Sequence, residues 1–219
     1  MITLTQGLAD TSKELGESTT NTSARRIQHY NDAIQEFSNE RKWKFLVKED
    51  TSLVTGVDNA AIDITGIDDM RMPGGIKEIT VDGYTDPFLP VNFEDRFVES
   101  SKNRFYITPD EQSLKFTKEL NSGETLDMWY WYIPERIDDT ASEESFPIPA
   151  RYRKAIGTLS AAFVQYSRYL DGPGSRLINF YNVLLEKAEL NQSEKNSGTP
   201  NRIPNPMAWR GPIRRGRRR

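Results

Sequence analysis

The last 24 residues carry the side chains best suited to binding a negatively charged partner. Seven arginines fall within residues 196–219, with no aspartate or glutamate among them. A guanidinium group donates paired hydrogen bonds to phosphate or carboxylate, so the pattern favours binding and not catalysis. Apolar residues are interleaved with the first of these arginines. The candidate binding residues are Arg202, Ile203, Met207, Trp209, Arg210, Ile213, Arg214, Arg215, Arg217, Arg218 and Arg219.

Three roles are open for this tail: it grips DNA, docks on an acidic protein, or is only a solvated, solubilising segment. Four prolines and three glycines predict neither helix nor sheet. A solvated linker has no use for a tryptophan, so the segment is predicted to be disordered alone and ordered on a partner. The interleaved proline, tryptophan and isoleucine favour docking for residues 200–213, whereas residues 214–219 suit DNA equally well.

The rest of the chain is acidic. The 219 residues carry a net charge of −3, and outside the tail 22 basic residues face 32 acidic ones. This balance argues against nucleic acid lying along the whole protein. No apolar run approaches the ~20 residues that cross a bilayer, so no membrane partner is expected. The N-terminus MITLTQGLADTSKEL has no secretory pattern, and an interior compartment is predicted.

The sequence offers little for catalysis, and we expect neither an enzyme nor a cofactor. Cysteine is absent, which excludes thiol chemistry and thiolate metal sites. The only histidine, His29, lies in a charged helical stretch and is predicted to be a surface or packing residue. Adjacent carboxylates are predicted to be solvated loop charges, since neighbouring side chains point apart; they are Asp68–Asp69, Asp138–Asp139 and Glu143–Glu144.

Hydrophobic spacing divides the chain into parts. Residues 1–42 are predicted to form N-terminal helices, with Thr22 or Ser23 as a cap for the second. The helical period of that second helix is carried by Ile27, Tyr30, Ile34 and Phe37.

From Trp43 the period changes to two, and residues 43–137 are predicted to form an antiparallel β domain of roughly six to eight strands. Asp82–Gly83 predicts one turn, and RFYITPDEQSLKF predicts a hairpin. The segment TLDMWYWYIPERI is predicted to form a central strand. Its aromatic residues, Trp129 to Tyr132, suit either a base-stacking platform or a core or subunit-contact strand. The lack of nearby basic residues in the sequence favours the latter.

Residues 147–195 are predicted to form a C-terminal helical hairpin, broken at Asp171–Gly174 and packed with the N-terminal helices. The inward stripes are predicted to be Tyr152, Ile156, Leu159, Phe163, Tyr166 and Leu170, then Leu177, Tyr181, Leu184 and Ala188. The predicted fold class is α+β, with a helical bundle beside the antiparallel β domain and an extended basic tail at residues 196–219.

The order of these elements resembles the head-to-tail adaptor (connector or neck) proteins of tailed bacteriophages, of the tail tubular protein A type. The resemblance covers most of residues 20–195. It is carried by RRIQHYNDAIQEFSNERKWKFL, by the aromatic strand ending in IP, and by FPIPARYRKAIGTLSAAF. The most recognisable motifs are the Trp43 segment and the helix start with Pro149, Tyr152 and Arg153.

The resemblance implies a structural virion protein at the head–tail interface, assembled in the host cytoplasm. About twelve copies would form a ring below the portal protein, continue the DNA channel and present a platform for a tail or nozzle protein. In the family an extended C-terminal segment inserts into the portal, which matches Asn201 to Ile213. The terminal arginines would then pair with portal carboxylates or lie near packaged DNA.

Two other classes stay open. The first is a nucleic-acid-binding protein that uses an arginine-rich disordered arm. The second is a carbohydrate- or receptor-binding tail protein that uses the β unit, although no pocket there is evident from the sequence.

Overall fold

The protein combines α-helices with antiparallel sheets, as predicted. The computed structural model describes residues 1–56, 61–67, 69–71, 75–98, 102–141 and 144–197, with side chains of the last helix described to residue 189. Within these ranges there are four α-helices: α1 (Leu4–Glu14), α2 (Ala24–Glu40), α3 (Arg153–Ser167) and α4 (Asp171–Ser197).

The first two helices begin and bury their faces as the sequence indicates. Thr3 caps α1 in a capping box with Gln6, which satisfies backbone N–H groups at the helix start. Ser23 is the N-cap of α2, although its side chain makes no capping hydrogen bond. The predicted stripe of α2 is buried, with Tyr30 and Phe37 fully inaccessible. Burial of this stripe holds α2 against its neighbours.

Helix α3 is buried on nearly all sides because its neighbours approach it closely. A Cβ atom at Gly157 would lie 2.8 Å from the Cβ of Asp10 on α1. Small residues therefore permit the contact between α1 and α3. Residues of all four helices join one hydrophobic cluster, which also contains Trp43, Leu46 and Ile137.

The break between α3 and α4 lies earlier than predicted. The connection is residues 168–170, where Tyr169 has a φ of 59°. Gly172, Pro173 and Gly174 belong to the first turn of α4. A proline is compatible with a first turn, where its missing N–H has no intrahelical acceptor. The inward face of α4 also differs, since Leu185 is buried at 1% exposure while Leu184 is only partly buried.

The described strands form three sheets. A three-stranded antiparallel sheet has the order β2 (Val47–Val54), β8 (Thr125–Trp131), β4 (Ile76–Val81). A four-stranded sheet has the order β3 (Ile62–Asp63), β7 (Ser113–Phe116), β6 (Arg104–Ile107), β5 (Leu89–Pro90), in which only β5 and β6 are parallel. A two-stranded pair joins β1 (Ile2–Thr3) to β9 (Ser145–Phe146).

Several strand predictions are confirmed. Strand β8 is central in its sheet, and β6 and β7 form the predicted antiparallel hairpin. Chain reversal occurs at Asp82–Gly83, where Gly83 has a φ of 83° that favours glycine. The two sheets share a hydrophobic cluster that includes Phe88, Phe105, Leu126 and others.

The prediction that a strand begins at Trp43 is wrong. Residues 44–45 form a turn, and β2 begins at Val47. The Trp43 ring stacks on Phe37 of α2 with centroids 4.6 Å apart, and its Nε1 donates to the Phe37 carbonyl at 2.7 Å. The alternating pattern arises because Trp43 packs onto the helices before the strand starts.

Candidate assembly surfaces

The predicted tail residues lie outside the described residues. They are Arg202, Ile203, Met207, Trp209, Arg210, Ile213, Arg214, Arg215, Arg217, Arg218 and Arg219. The described chain ends in α4 at Ser197, so the docking role of residues 200–213 stays a prediction.

Two of the titratable residues considered in the sequence, His29 and Asp69, interact with neighbouring side chains. Burial and the charge of Arg25 lower the pKa of His29, and Asp32 opposes them. Asp69 is not merely a solvated loop charge, because it accepts a hydrogen bond from the Tyr130 hydroxyl at 3.0 Å and pairs with Lys48. Within the described ranges, no three carboxylates or histidines group as a metal site would require.

The aromatic strand is part of the fold's interior. Tyr130 is buried in the β cluster, and Trp129 and Trp131 are half-buried. Positive charge reaches this strand from elsewhere in the chain, since Lys42 Nζ lies 4.6 Å from the Trp131 ring and Lys48 Nζ 4.4 Å from the Tyr132 ring. These cation–π contacts lie where the Lys42 segment and β2 pack against β8 and against Tyr132, the residue that follows it.

One apolar surface is exposed on the β unit, which here means the two larger sheets and their loops. It comprises Phe93, Glu94, Asp95, Phe97 and Val98, and is called the acidic apolar surface. Phe97 and Val98 are 74% and 80% exposed. Glu94 and Asp95 make no ion pair with other described residues. Exposed apolar residues in such a cluster are typical of an interaction site.

The acidic apolar surface borders an open groove of about 900 Å³. The groove is lined by β5 and by residues of the segment from Val91 to Val98, with Phe105 and Ile107 of β6 on its wall. Arg96 places its guanidinium 3.7 Å from the Phe93 ring and 4.2 Å from the Phe97 ring. Arg96 offsets part of the local negative charge and leaves the outer part of Phe97 exposed.

A second surface lies on the outward face of α4. Arg176, Phe180, Val183 and Lys187 follow one another at intervals of four, three and four residues, so they lie on one face of the helix. Phe180 and Val183 are 38% and 44% exposed. Lys154 of α3 adds a cation 5.3 Å from the Phe180 ring. These four α4 residues are called the basic apolar surface.

Sequence reasoning missed both surfaces, although each leaves a signal. Phe180 and Val183 fall outside the inward stripe predicted for α4, so the sequence already places apolar side chains on a second face of this helix. Phe97 and Val98 follow Glu94, Asp95 and Arg96 in a stretch that has no strand period. Apolar side chains outside every predicted buried face are candidates for contact with another chain.

Comparisons with known proteins identify no relative: no protein-family model matches this chain, and no curated protein matches its sequence significantly. Among the helices that the structure describes, none combines the length and the apolar character that crossing a bilayer requires.

Proposed function

We propose that this chain is a structural virion protein, the head-to-tail adaptor of a tailed bacteriophage. Its helices act as a bundle beside the β domain, and copies of the chain form a ring that continues the DNA channel. The C-terminal tail fastens the ring to the portal, and the opposite side receives the tail or nozzle protein. No catalytic step belongs to this function.

One observation carries the proposal. The two most recognisable motifs of the resemblance, more than 100 residues apart, meet in one aromatic cluster. The Tyr152 ring lies 5.3 Å from Trp43 and 5.4 Å from Phe45. A chance likeness of two short motifs gives no reason for them to pack together, whereas a shared fold does.

The two exposed surfaces support a ring. Head-to-tail contacts about a rotation axis require two different, complementary patches on each subunit. The acidic apolar surface lies on the β unit and the basic apolar surface on α4, so the two patches differ in place, and the carboxylates of the first, whose charge Arg96 offsets in part, can pair with the cations of the second. We assign the contact between neighbouring copies to this pair, with Lys187 and Arg176 of one copy facing Glu94 and Asp95 of the next.

The tail supplies the fastening. Residues 198–219, which follow α4, could extend roughly 70 Å at ~3.3 Å per residue, far enough to reach a second protein. Trp209, Ile203 and Met207 act as buried anchors, and the arginines pair with carboxylates. Repeating one such strap around a ring adds avidity that a single strap lacks.

The test of the function mixes the purified protein with the portal of the same virus, with and without residues 197–219. Electron microscopy should find rings on the portal for the full chain and a large loss of them for the truncated chain. Failure of the full chain to bind the portal would overturn the proposal. Equal binding by both chains would reject only the role of the tail.

The ring contact is tested by charge exchange. Lys187→Glu or Glu94→Lys alone should weaken assembly by about tenfold or more, and the two together should restore it, because the exchanged charges again attract. Lys44→Glu is the matched control, since Lys44 is exposed and outside both surfaces. Single variants that assemble like the control would exclude this pair of surfaces.

The runner-up function is nucleic-acid binding by the tail, favoured by seven arginines without a carboxylate in 24 residues. Seven neutralised phosphates would give a salt slope of roughly −6 for duplex DNA, from about −0.9 for each. Steep, strong binding of DNA by the free protein would support it. Negligible binding at about 0.15 M salt would remove it.

A further inference from the structure

A small basic cavity lies where α2 begins and α3 ends. Its volume is about 120 Å³, several times the ~30 Å³ that a water molecule occupies. Its polar lining includes Ser23, Arg25, Arg26, His29, Ser167 and Arg168. Neither the sequence patterns nor the proposed function uses this cavity.

The Arg26 side chain is buried in the wall of the cavity. It is only 3% exposed, and its Nη2 donates to Glu17 Oε1 at 2.8 Å. Its Nη1 is buried and has no hydrogen-bond partner in the described residues. A buried guanidinium donor without an acceptor is costly, and an anion in the cavity would remove that cost.

A second donor position is also unsatisfied. His29 Nε2 is buried without a partner, on the next turn of α2 from Arg25 and Arg26. The Ser23 side chain makes no capping bond, so its hydroxyl is available at the positive end of α2. Arg25 donates to the Ser167 carbonyl at 3.4 Å, which holds its guanidinium across the opening towards α3.

Positive charge at the cavity exceeds negative charge. Arg25, Arg26 and Arg168 contribute three cations. Glu17 is shared, with its Oε1 2.8 Å from Arg26 and 3.8 Å from Arg168. Asp32 is the carboxylate that acts on His29, and it does not line the cavity. The excess of cations also explains why the charge of Arg25 adds to burial in lowering the pKa of His29.

We propose that this cavity binds a phosphate-type oxyanion. Guanidinium forks match the geometry of tetrahedral oxyanions, and a helix N-terminus adds further attraction for negative charge. Arg26 forms the floor of the site, Arg25 and Arg168 close on the anion from two sides, and His29 donates once it is protonated. The anion is either free inorganic phosphate or a phosphate group of a nucleic acid. The site does not depend on ring formation.

The single histidine provides the test, because its ring lines this cavity and its NMR signals respond to a ligand bound there. Titration with inorganic phosphate should shift these signals saturably and raise the pKa of His29. The exposed variants Arg25→Gln and Arg168→Gln should each weaken binding by about tenfold or more, as expected for losing a charge-assisted hydrogen bond. Lys44→Gln, at an exposed position that belongs neither to this cavity nor to either exposed surface, is the matched control and should bind phosphate like the wild type.

A second titration with a short duplex DNA distinguishes the two sources. If duplex DNA shifts the His29 signals and phosphate competes with it, the ligand is a nucleic-acid phosphate. If only inorganic phosphate shifts them, the ligand is the free anion. Absence of a saturable shift with either probe, or equal affinity of wild type, Arg25→Gln and Arg168→Gln, would overturn the proposal. The test does not require Arg26→Gln, so its result does not depend on loss of the buried ion pair between Arg26 and Glu17.

Discussion

The four helices, called the helical end, differ from the β unit in the polar side chains that they bury. The described residues contain eight buried polar side chains, and only Thr55 belongs to the β unit. The other seven lie on the helices: Thr11, Ser12, Arg26, Asn31, Ser38, Thr158 and Ser160. Hydroxyl groups on helices can be satisfied locally, as Thr11 donates to the Gly7 carbonyl at 3.0 Å and Ser38 to the Ile34 carbonyl at 2.7 Å.

This difference explains how closely each part is packed. Small polar residues and glycines let helices approach closely, and a Cβ atom at Gly7 would lie 2.0 Å from Cζ of Tyr30. The β cluster is filled by larger rings, such as Phe88 and Phe116 with centroids 4.9 Å apart. Gly66, in a turn of the β unit, has open space around it, whereas a Cβ atom at Gly75 would lie 1.9 Å from the Arg71 carbonyl oxygen. Added volume is therefore tolerated at a loop glycine such as Gly66 and not at a glycine where two helices touch.

The largest effect is expected for Tyr152→Ala. Tyr152 is fully buried and contacts the rings of Phe37, Trp43 and Phe45, so its truncation should lower the free energy of unfolding by about 3–5 kcal/mol. The matched control is Tyr169→Ala, which removes a side chain that is 93% exposed and should change stability by less than about 0.5 kcal/mol. Urea denaturation measures both. Equal effects would contradict the assignment of the helical core to this aromatic cluster.

A smaller effect on stability is expected for Gly7→Ala, and Gly66→Ala is the variant with which it is compared. Tyr30 is fully buried and cannot move aside, so Gly7→Ala should destabilise the protein by about 1–3 kcal/mol despite the better helix propensity of alanine. Gly66→Ala should be neutral to within about 0.5 kcal/mol. Thermal unfolding of the two variants measures the difference. A tolerated Gly7→Ala would contradict the close approach of α1 to the Tyr30 ring of α2.

The parts of the fold that sequence reasoning predicted are those fixed by local pattern. The stripe of α2 from Ile27 to Phe37 and the β6–β7 hairpin follow from hydrophobic spacing and turn residues that neighbours do not change. Strand β8 could be placed in the centre of a sheet because both of its faces are apolar.

What could not be predicted depends on tertiary contacts. Trp43 alternates with its neighbours like a strand residue, yet its ring is held by α2 and by Tyr152, the residue before α3. Whether Leu184 or Leu185 faces the core depends on the angle at which α4 crosses its neighbours, and the pattern of a single helix does not contain that angle. The basic cavity joins Arg26 to Arg168, and residues so far apart in sequence leave no motif.

The smallest expected effect concerns the charge buried at the helical end. The pKa of His29 is lowered from its ordinary value of 6.5 by burial and by Arg25, so the unfolded chain binds a proton more tightly than the folded one. Stability from this residue is therefore complete above about pH 6.5 and falls as the pH decreases towards the folded pKa. Arg25→Gln should raise the pKa of His29 and reduce this pH dependence, and His29→Gln should abolish it. Denaturation of the three proteins between about pH 5 and 8 measures the slope, in a range where the carboxylates stay ionised. Identical slopes would mean that the charge at the start of α2 does not act on His29.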